Sequence, residues 1–475
     1  MIVNSYSLQI GYLLILFLLI DPLHISAQIA AKELKFPTTK HSGIKIEHVM
    51  EVPSQAVRLM ENPVTGNLWF TTFDGAVYEI KGVDGDSPVA SEVFNASDHG
   101  ITRLQGAVFL EDMLYLCGNI NVNDNKGTKG RMVKFKLDSS TNPTMSVVFN
   151  TVEYGTNKTT FDHGWNALEI SPDKKYIYVN TGARTDHGEV QDNDGAYPNA
   201  RDNALTAKVF RFPADSENLL LPNDENELKK SGYIYAEGIR NAYDMAFDQN
   251  GYLFAVSNSG DYDHPEDMFW VREGHHYGFP WIMGGIQNPQ QYTGWEPDPK
   301  TDPFMNPFAH AWLVKYFHDD PEFPPIPVGV RFSPGVQNLG PDANEYRDPA
   351  TGKVVDGDIT GVAVSTFTPH SSPLGLFFDN EENLGSEFKG GGFVIRYGGG
   401  PRSSLSKPFT TQGKDLMHLD LVYNKGIDNY SVKSTSIVEG FSSPTDAILK
   451  DNWVYIIEYG GREGGNLWKI TLPVD

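Results

Sequence analysis

Residues 238–256 read Gly-Ile-Arg-Asn-Ala-Tyr-Asp-Met-Ala-Phe-Asp-Gln-Asn-Gly-Tyr-Leu-Phe-Ala-Val. Two apolar strands flank the turn Asp248-Gln-Asn-Gly251, whose residues tolerate the backbone angles of a tight reversal. Arg240 and Asn241 stand just before the first strand. After the second comes an acidic loop, Ser259-Gly-Asp-Tyr-Asp-His-Pro-Glu-Asp267, and then His276-Tyr-Gly-Phe-Pro280. Loops at strand ends are where sheet proteins usually carry their chemistry.

The same skeleton, a polar strand start, an apolar strand, a turn and a second apolar strand, recurs along the chain. The units start at Pro53, Thr102, His163, Arg240, Ser371 and Ser442. Their second strands are Asn67-Leu-Trp-Phe70, Met113-Leu-Tyr-Leu116, Tyr176-Ile-Tyr-Val179, Tyr252-Leu-Phe-Ala255, Gly392-Phe-Val-Ile395 and Trp453-Val-Tyr-Ile456. Long amphipathic helices are not evident. Six repeated sheets that cannot bury their own faces predict an all-β, six-bladed β-propeller over residues 45–475, rather than two stacked sandwiches. The six unit starts then face one channel, so His163 and Arg240 share a cavity although 77 positions separate them.

Two segments break the period. Residues 183–207 form a polar loop. Residues 282–356 form a proline- and aromatic-rich insertion between blades four and five, expected either to cover the channel or to line a blade edge.

Composition narrows the function. The chain has 475 residues, 38 Lys and Arg against 61 Asp and Glu, and a formal net charge of −23. That field argues against nucleic acid and anionic lipid. Residues 10–20 are an uninterrupted apolar run and Ile25-Ser-Ala27 offers small residues after it. This reads as a signal peptide, residues 1–27, too short for a comfortable membrane span, and predicts a secreted or periplasmic protein without stable membrane insertion. The single cysteine, Cys117, excludes an intrachain disulfide and a Cys-x-x-Cys-His haem site, so collected electrons would leave through a separate acceptor. Asn95, Asn157 and Asn429 sit in glycosylation sequons.

Several residues can carry chemistry. His163 at a channel mouth suits a general base, with Asp162 beside it as an orienting carboxylate. Arg240 presents a fork of donors for carboxylate or quinone oxygens. Ser259, Gly260 and Asp261 open a loop rich in oxygen donors that suits Ca2+, though not with EF-hand spacing. There is no Gly-x-Ser-x-Gly elbow, Walker loop or His-Glu-x-x-His motif.

Four segments together resemble the soluble quinoprotein glucose/sorbosone dehydrogenase family. They are Asp162-His163 with Ala167-Leu-Glu-Ile-Ser-Pro-Asp173, Gly238-Ile-Arg-Asn241 through Asp248, the 259–280 loop, and His370-Ser-Ser-Pro-Leu-Gly375 with Phe388-Lys-Gly-Gly-Gly-Phe-Val394. The resemblance spans residues 45–472 apart from the insertion. It implies oxidation of a sugar or related aldehyde or alcohol by hydride transfer to pyrroloquinoline quinone (PQQ). His163 would take the hydroxyl proton. Arg240 and Asn241 would hold the quinone, and Ca2+ on Ser259, Gly260 and Asp261 would polarise it. The chain departs from the glucose-dehydrogenase branch in two places, one of them the expected lack of that branch's second-blade glutamine, near which Ile101-Thr-Arg103 stands. The other is Ser442-Ser-Pro-Thr445, which replaces last-blade arginines. Arg103, Arg396 and Arg402 are the candidates to supply the missing positive charge. Two other readings are a non-catalytic propeller that binds a glycan or protein, and a Ca2+-dependent lactone or ester hydrolase. The sugar, the electron acceptor and the oligomeric state are not specified by these residues.

Overall fold

In the computed structural model, the first strand among the described residues, Lys45–Val52, pairs antiparallel with the last, Gly465–Thr471, so that Lys45 faces Thr471. The ring they close is a six-bladed propeller. The structure describes residues 34–122, 127–137, 143–155, 161–190, 201–398, 407–411, 413–462 and 464–475. The leader (residues 1–27), Asn157 and Arg402 lie outside these residues. Among the described residues no helix is long and apolar enough to cross a membrane.

Blade one comprises Ala56–Glu61, Leu68–Thr72, Val77–Lys81 and Val89–Phe94. Blade two begins with Arg103–Leu110, blade three with Trp165–Ile170, blade four with Ala242–Phe247, blade five with Pro373–Phe378 and blade six with Pro444–Lys450. Each of these inner strands pairs antiparallel with the next strand in sequence. The strands form where apolar residues alternate or run together, because each blade is covered on both faces by its neighbours. Six hydrophobic clusters result, each drawn mainly from two adjacent blades. In one, Trp69 and Phe94 of blade one meet Leu104, Leu116 and Phe135 of blade two. In the closing one, Val52, Leu59 and Phe70 meet Tyr455 and Leu467.

All six inner strands slip register near their start: between Ala56 and Arg58, Leu104 and Gly106, Trp165 and Leu168, Ala242 and Asp244, Pro373 and Leu376, and Pro444 and Asp446. A bulge bends a strand and re-aims side chains. Here a ring of six bulges turns the residues at the strand starts toward the channel mouth. Just below that ring Arg58 crosses the axis. Its Nε donates to the Gln105 carbonyl at 2.7 Å, and Nη1 lies 3.6 Å from Asp244 and 3.9 Å from Asp446. This buried group ties blades one, two, four and six together. It separates the mouth from a cavity of about 400 Å³ at the other end of the channel.

The insertion does two things. Residues Gln337–Pro341 join blade five, pairing parallel with Asn429–Glu439. Upstream, Phe304, Met305, Ala311, Tyr316 and Phe317 pack on Tyr262 and against Phe161, two residues before His163. The sequon at Asn429 is not a usable acceptor in the folded chain. The side chain is buried, and its Nδ2 donates to the carbonyls of Pro334 and Gly335.

Candidate active site at the bulged strand ends

His163 and Arg240 meet through Ala183. The His163 main-chain N–H and its Nδ1 both donate to the Ala183 carbonyl, at 3.1 and 2.8 Å, and the Ala183 N–H donates to the Arg240 carbonyl at 2.6 Å. A carbonyl only accepts, so Nδ1 carries the proton and Nε2 carries the lone pair. Nε2 has no partner among the described residues, and the ring is half-buried. Burial and the neighbouring Arg240 push the imidazole down to about 3. His163 is therefore a neutral base with its acceptor nitrogen free.

The orienting group is not the one expected from the sequence. Asp162 is half-buried, and among the described residues its Oδ1 has no partner and makes no hydrogen bond to the His163 ring. Neighbouring residues in extended chain point apart, and the main-chain oxygen of Ala183 does the orienting. Asp162 contributes its carbonyl, which accepts from Arg103 Nη2 at 2.9 Å. Gln105, in the blade-two bulge, donates from Nε2 to the His163 carbonyl at 2.7 Å. This glutamine lies two to four positions beyond the Ile101-Thr-Arg103 segment expected to lack one, because the bulge shifts which residue reaches the mouth.

Arg240 is 5% exposed, and most of its donors are used. Nε donates to the Asp186 carbonyl at 2.6 Å, Nη1 to the Asn258 carbonyl at 3.1 Å and Nη2 to Asp186 Oδ1 at 3.1 Å. Asp186 is fully buried. Burial alone would raise its pKa, but His187, Arg240 and the Asp261 N–H outweigh it and hold the carboxyl below its usual range. His187 donates from both ring nitrogens, to Asp186 Oδ2 at 3.1 Å and to Gln290 Oε1 of the insertion at 2.5 Å. Burial opposes its charge, yet Glu189 and Asp186 raise its pKa overall. The segment Thr185-Asp-His-Gly-Glu189 lies within the stretch expected to be a polar loop. Its one signal was a histidine between two carboxylates.

The 259–267 loop closes against Asp186. The Asp261 N–H donates to both carboxylate oxygens, at 3.1 and 3.0 Å. A Cβ on Gly260 would sit 2.8 Å from both the carbonyl and Oδ2 of Asp186. Only glycine permits that approach. The buried Asn258 Oδ1 has no partner among the described residues. Burial and the Asp186 charge push Asp261 up to about 6, and its Oδ2 accepts from the Ala311 N–H of the insertion at 2.8 Å. A hard cation takes carboxylate, amide and main-chain oxygens, and the donor set here fits one. Among the described residues no three His, Cys, Asp or Glu side chains converge on one point, so such an ion would draw largely on amide and main-chain oxygens. Asp263 is not available to it, because it is bound by Arg347 Nε at 2.8 Å and by His370 Nε2 at 2.8 Å.

The remaining arginines divide. Arg103 is half-buried at the mouth, and beyond the Asp162 carbonyl its N–H groups have no hydrogen-bond partner among the described residues. Arg396 is 2% exposed and forked onto Asp415, with Nε to Oδ1 at 3.0 Å and Nη2 to Oδ2 at 2.5 Å. That pairing corrects the expectation that Arg396 supplies free charge. At the last blade Glu458 accepts the Ser442 N–H at 2.5 Å.

The glucose/sorbosone dehydrogenase profile matches residues 51–314, more than half of the chain. The chain belongs to the glucose/sorbosone dehydrogenase family. No curated protein matches it significantly. Solved structures share the fold of this dehydrogenase at low identity. The apo soluble aldose sugar dehydrogenase of Escherichia coli is 16% identical with a TM-score of 0.52, covering 90% of this chain and 99% of its own. The holo PQQ domain of Coprinopsis cinerea pyranose dehydrogenase is 12% identical with a TM-score of 0.53, covering 93% and 99%. A carbohydrate-active enzyme of Trichoderma reesei, in its calcium structure, is 11% identical with a TM-score of 0.53, covering 92% and 97%.

Proposed function

We propose that this dehydrogenase oxidises a sugar or a related aldehyde or alcohol outside the cytoplasm, with PQQ as hydride acceptor and Ca2+ beside it. The observation that carries the proposal is the neutral His163, with Nδ1 pinned to Ala183 and Nε2 free, next to Arg240 and Asn241. When bound, PQQ supplies a carbon that accepts a hydride, and Ca2+ supplies Lewis acidity.

The residues of the chain do the rest. His163 Nε2 accepts the proton of the substrate hydroxyl as the C–H bond beside it gives up its electron pair. The Ala183 carbonyl stabilises the imidazolium that results, through the same Nδ1 hydrogen bond. Arg103 and Asn241 offer donors at the mouth, and Arg240 holds positive charge there without moving. Asn258, Gly260 and Asp261 would hold the ion, with Ser259 beside them. The insertion limits water by packing on Tyr262 and Phe161. The pairing of Arg396 with Asp415 favours a second reading, a propeller that keeps the fold and binds a glycan or protein without PQQ.

A reconstitution titration separates them. Metal-free mature protein is given Ca2+, then PQQ, and dye reduction is followed with a panel of aldoses. Saturable PQQ binding with sugar-dependent reduction supports the dehydrogenase. Absence of PQQ binding with Ca2+ present leaves the binding module.

A further inference from the structure

Asn166, Asn180 and Asn241 form a relay of buried amides. Asn166 and Asn180 are fully buried, and Asn241 is 6% exposed. Asn166 lies in the blade-three bulge, where it and Ala167 stand between the register pairs Trp165–Thr181 and Leu168–Val179, across from Asn180. The bulge turns the Asn166 side chain toward blade four.

The direction of every bond in this relay follows from one main-chain group. The Ala167 N–H can only donate, and it donates to the Asn166 side chain at 2.8 Å. The receiving atom is therefore Oδ1, which also accepts from Asn180 Nδ2 at 2.7 Å. The other atom of Asn166 is then Nδ2, and it donates to Asn241 at 2.8 Å. What it meets on Asn241 is Oδ1. Flipping any amide would set oxygen against oxygen or N–H against N–H in a dry site, at the cost of a buried unpaired group. Asn241 Nδ2 is left facing away from the relay, with no partner among the described residues. Its Oδ1 lies against Gly182, where an added Cβ would stand 2.9 Å from it and 2.5 Å from His163 Cβ.

We propose that Asn166 is a positioning residue that locks Asn241 as a hydrogen-bond donor into the space beside His163, so that the site selects an acceptor oxygen there. Resting on the dehydrogenase reading, that acceptor is a carbonyl or carboxylate oxygen of the quinone. The relay is a property of this chain's amides and does not depend on which quinone or sugar is used.

The test is Asn166→Asp, nearly isosteric and, as the carboxylate, unable to donate; the variant is read at a pH where neutron density shows no deuteron on the new carboxyl group. Its carboxylate still accepts from Ala167 and Asn180, and Asn241 must turn its Nδ2 toward it, presenting Oδ1 to the site. Neutron diffraction of deuterated crystals reads the amide directly. The expected result is deuterons on the cavity side of Asn241 in the native protein and on the relay side in the variant. PQQ titration with Ca2+ should show affinity weakened by about tenfold or more, since an acceptor now faces an acceptor, with the thermal midpoint used to confirm folding. Deuterons facing Asn166 in the native protein would overturn the proposal, as would a variant whose Asn241 amide is unturned and whose PQQ affinity is native. If the native protein binds no PQQ, the cofactor reading fails and the neutron result still decides the relay.

Discussion

Arg240 and Asp186 form a buried ion pair, Nη2 to Oδ1 at 3.1 Å, between the start of blade four and the loop after the second strand of blade three. The pair explains how a guanidinium can stand nearly dry at the channel mouth. Removing the carboxylate in Asp186→Ala leaves that charge without its counterion. Loss of one partner of a buried pair costs about 3–5 kcal/mol. Urea unfolding measures it, and a loss below about 1 kcal/mol would mean that another group neutralises Arg240.

His163→Gln should lower turnover by about 10²–10⁴, the usual contribution of a general base, while PQQ and Ca2+ titrations stay near native. Because burial and Arg240 hold the native imidazole at about 3, His163 stays neutral from pH 8 down to pH 4. A pH profile of kcat/KM should therefore lack a histidine limb between pH 6 and 7. An acid limb near 6.5 that disappears in the variant would show that substrate sees a normal imidazole.

Gly260→Ala tests the ion loop. The new methyl collides with main-chain oxygen as well as with the Asp186 carboxylate, both at 2.8 Å, so the loop must move out. The apparent Ca2+ affinity, read from the rise in thermal midpoint with added calcium, should fall by about tenfold. Native calcium dependence in the variant would place the ion elsewhere.

His264 is fully buried, and neither ring nitrogen has a partner among the described residues. Burial and the nearby His187 lower its pKa to about 3. An unfolded histidine takes a proton near 6.5, so this group's stability is present above pH 6.5 and is lost as pH falls toward 3. The slope approaches about 1.4 kcal/mol per pH unit. His264→Phe should keep the packing on Tyr262 and remove that slope. Thermal midpoints of the two proteins should be close at pH 7.5 and diverge at pH 5 in favour of the variant. Parallel curves would mean that His264 does not titrate on unfolding.

The fold was legible because apolar strands and turn residues recur in register. Pro53, Thr102, His163, Arg240, Ser371 and Ser442 each precede an inner strand by one to three residues. That register alone linked His163 to Arg240. It could not show the bulges, which leave no compositional mark, so Gln105 and Asn166 went unnoticed. Asp162 was named because it adjoins His163 in sequence, whereas the partner that orients the ring is a main-chain oxygen twenty positions away. Arg396 carried the right charge in the right blade, but its counterion Asp415 comes from the next strand, and such a pairing is invisible without the register of that sheet.

The pairing of Lys45–Val52 with Gly465–Thr471 has a consequence for how the molecule is made. Among the described residues Lys45–Val52 has no strand partner other than Gly465–Thr471, so the early blades remain an open arc until that last strand has been synthesised. A nonsense codon that removes the Gly465–Thr471 strand would cost far more than that strand, because Val52, Tyr455 and the surrounding closing core would lose one wall together.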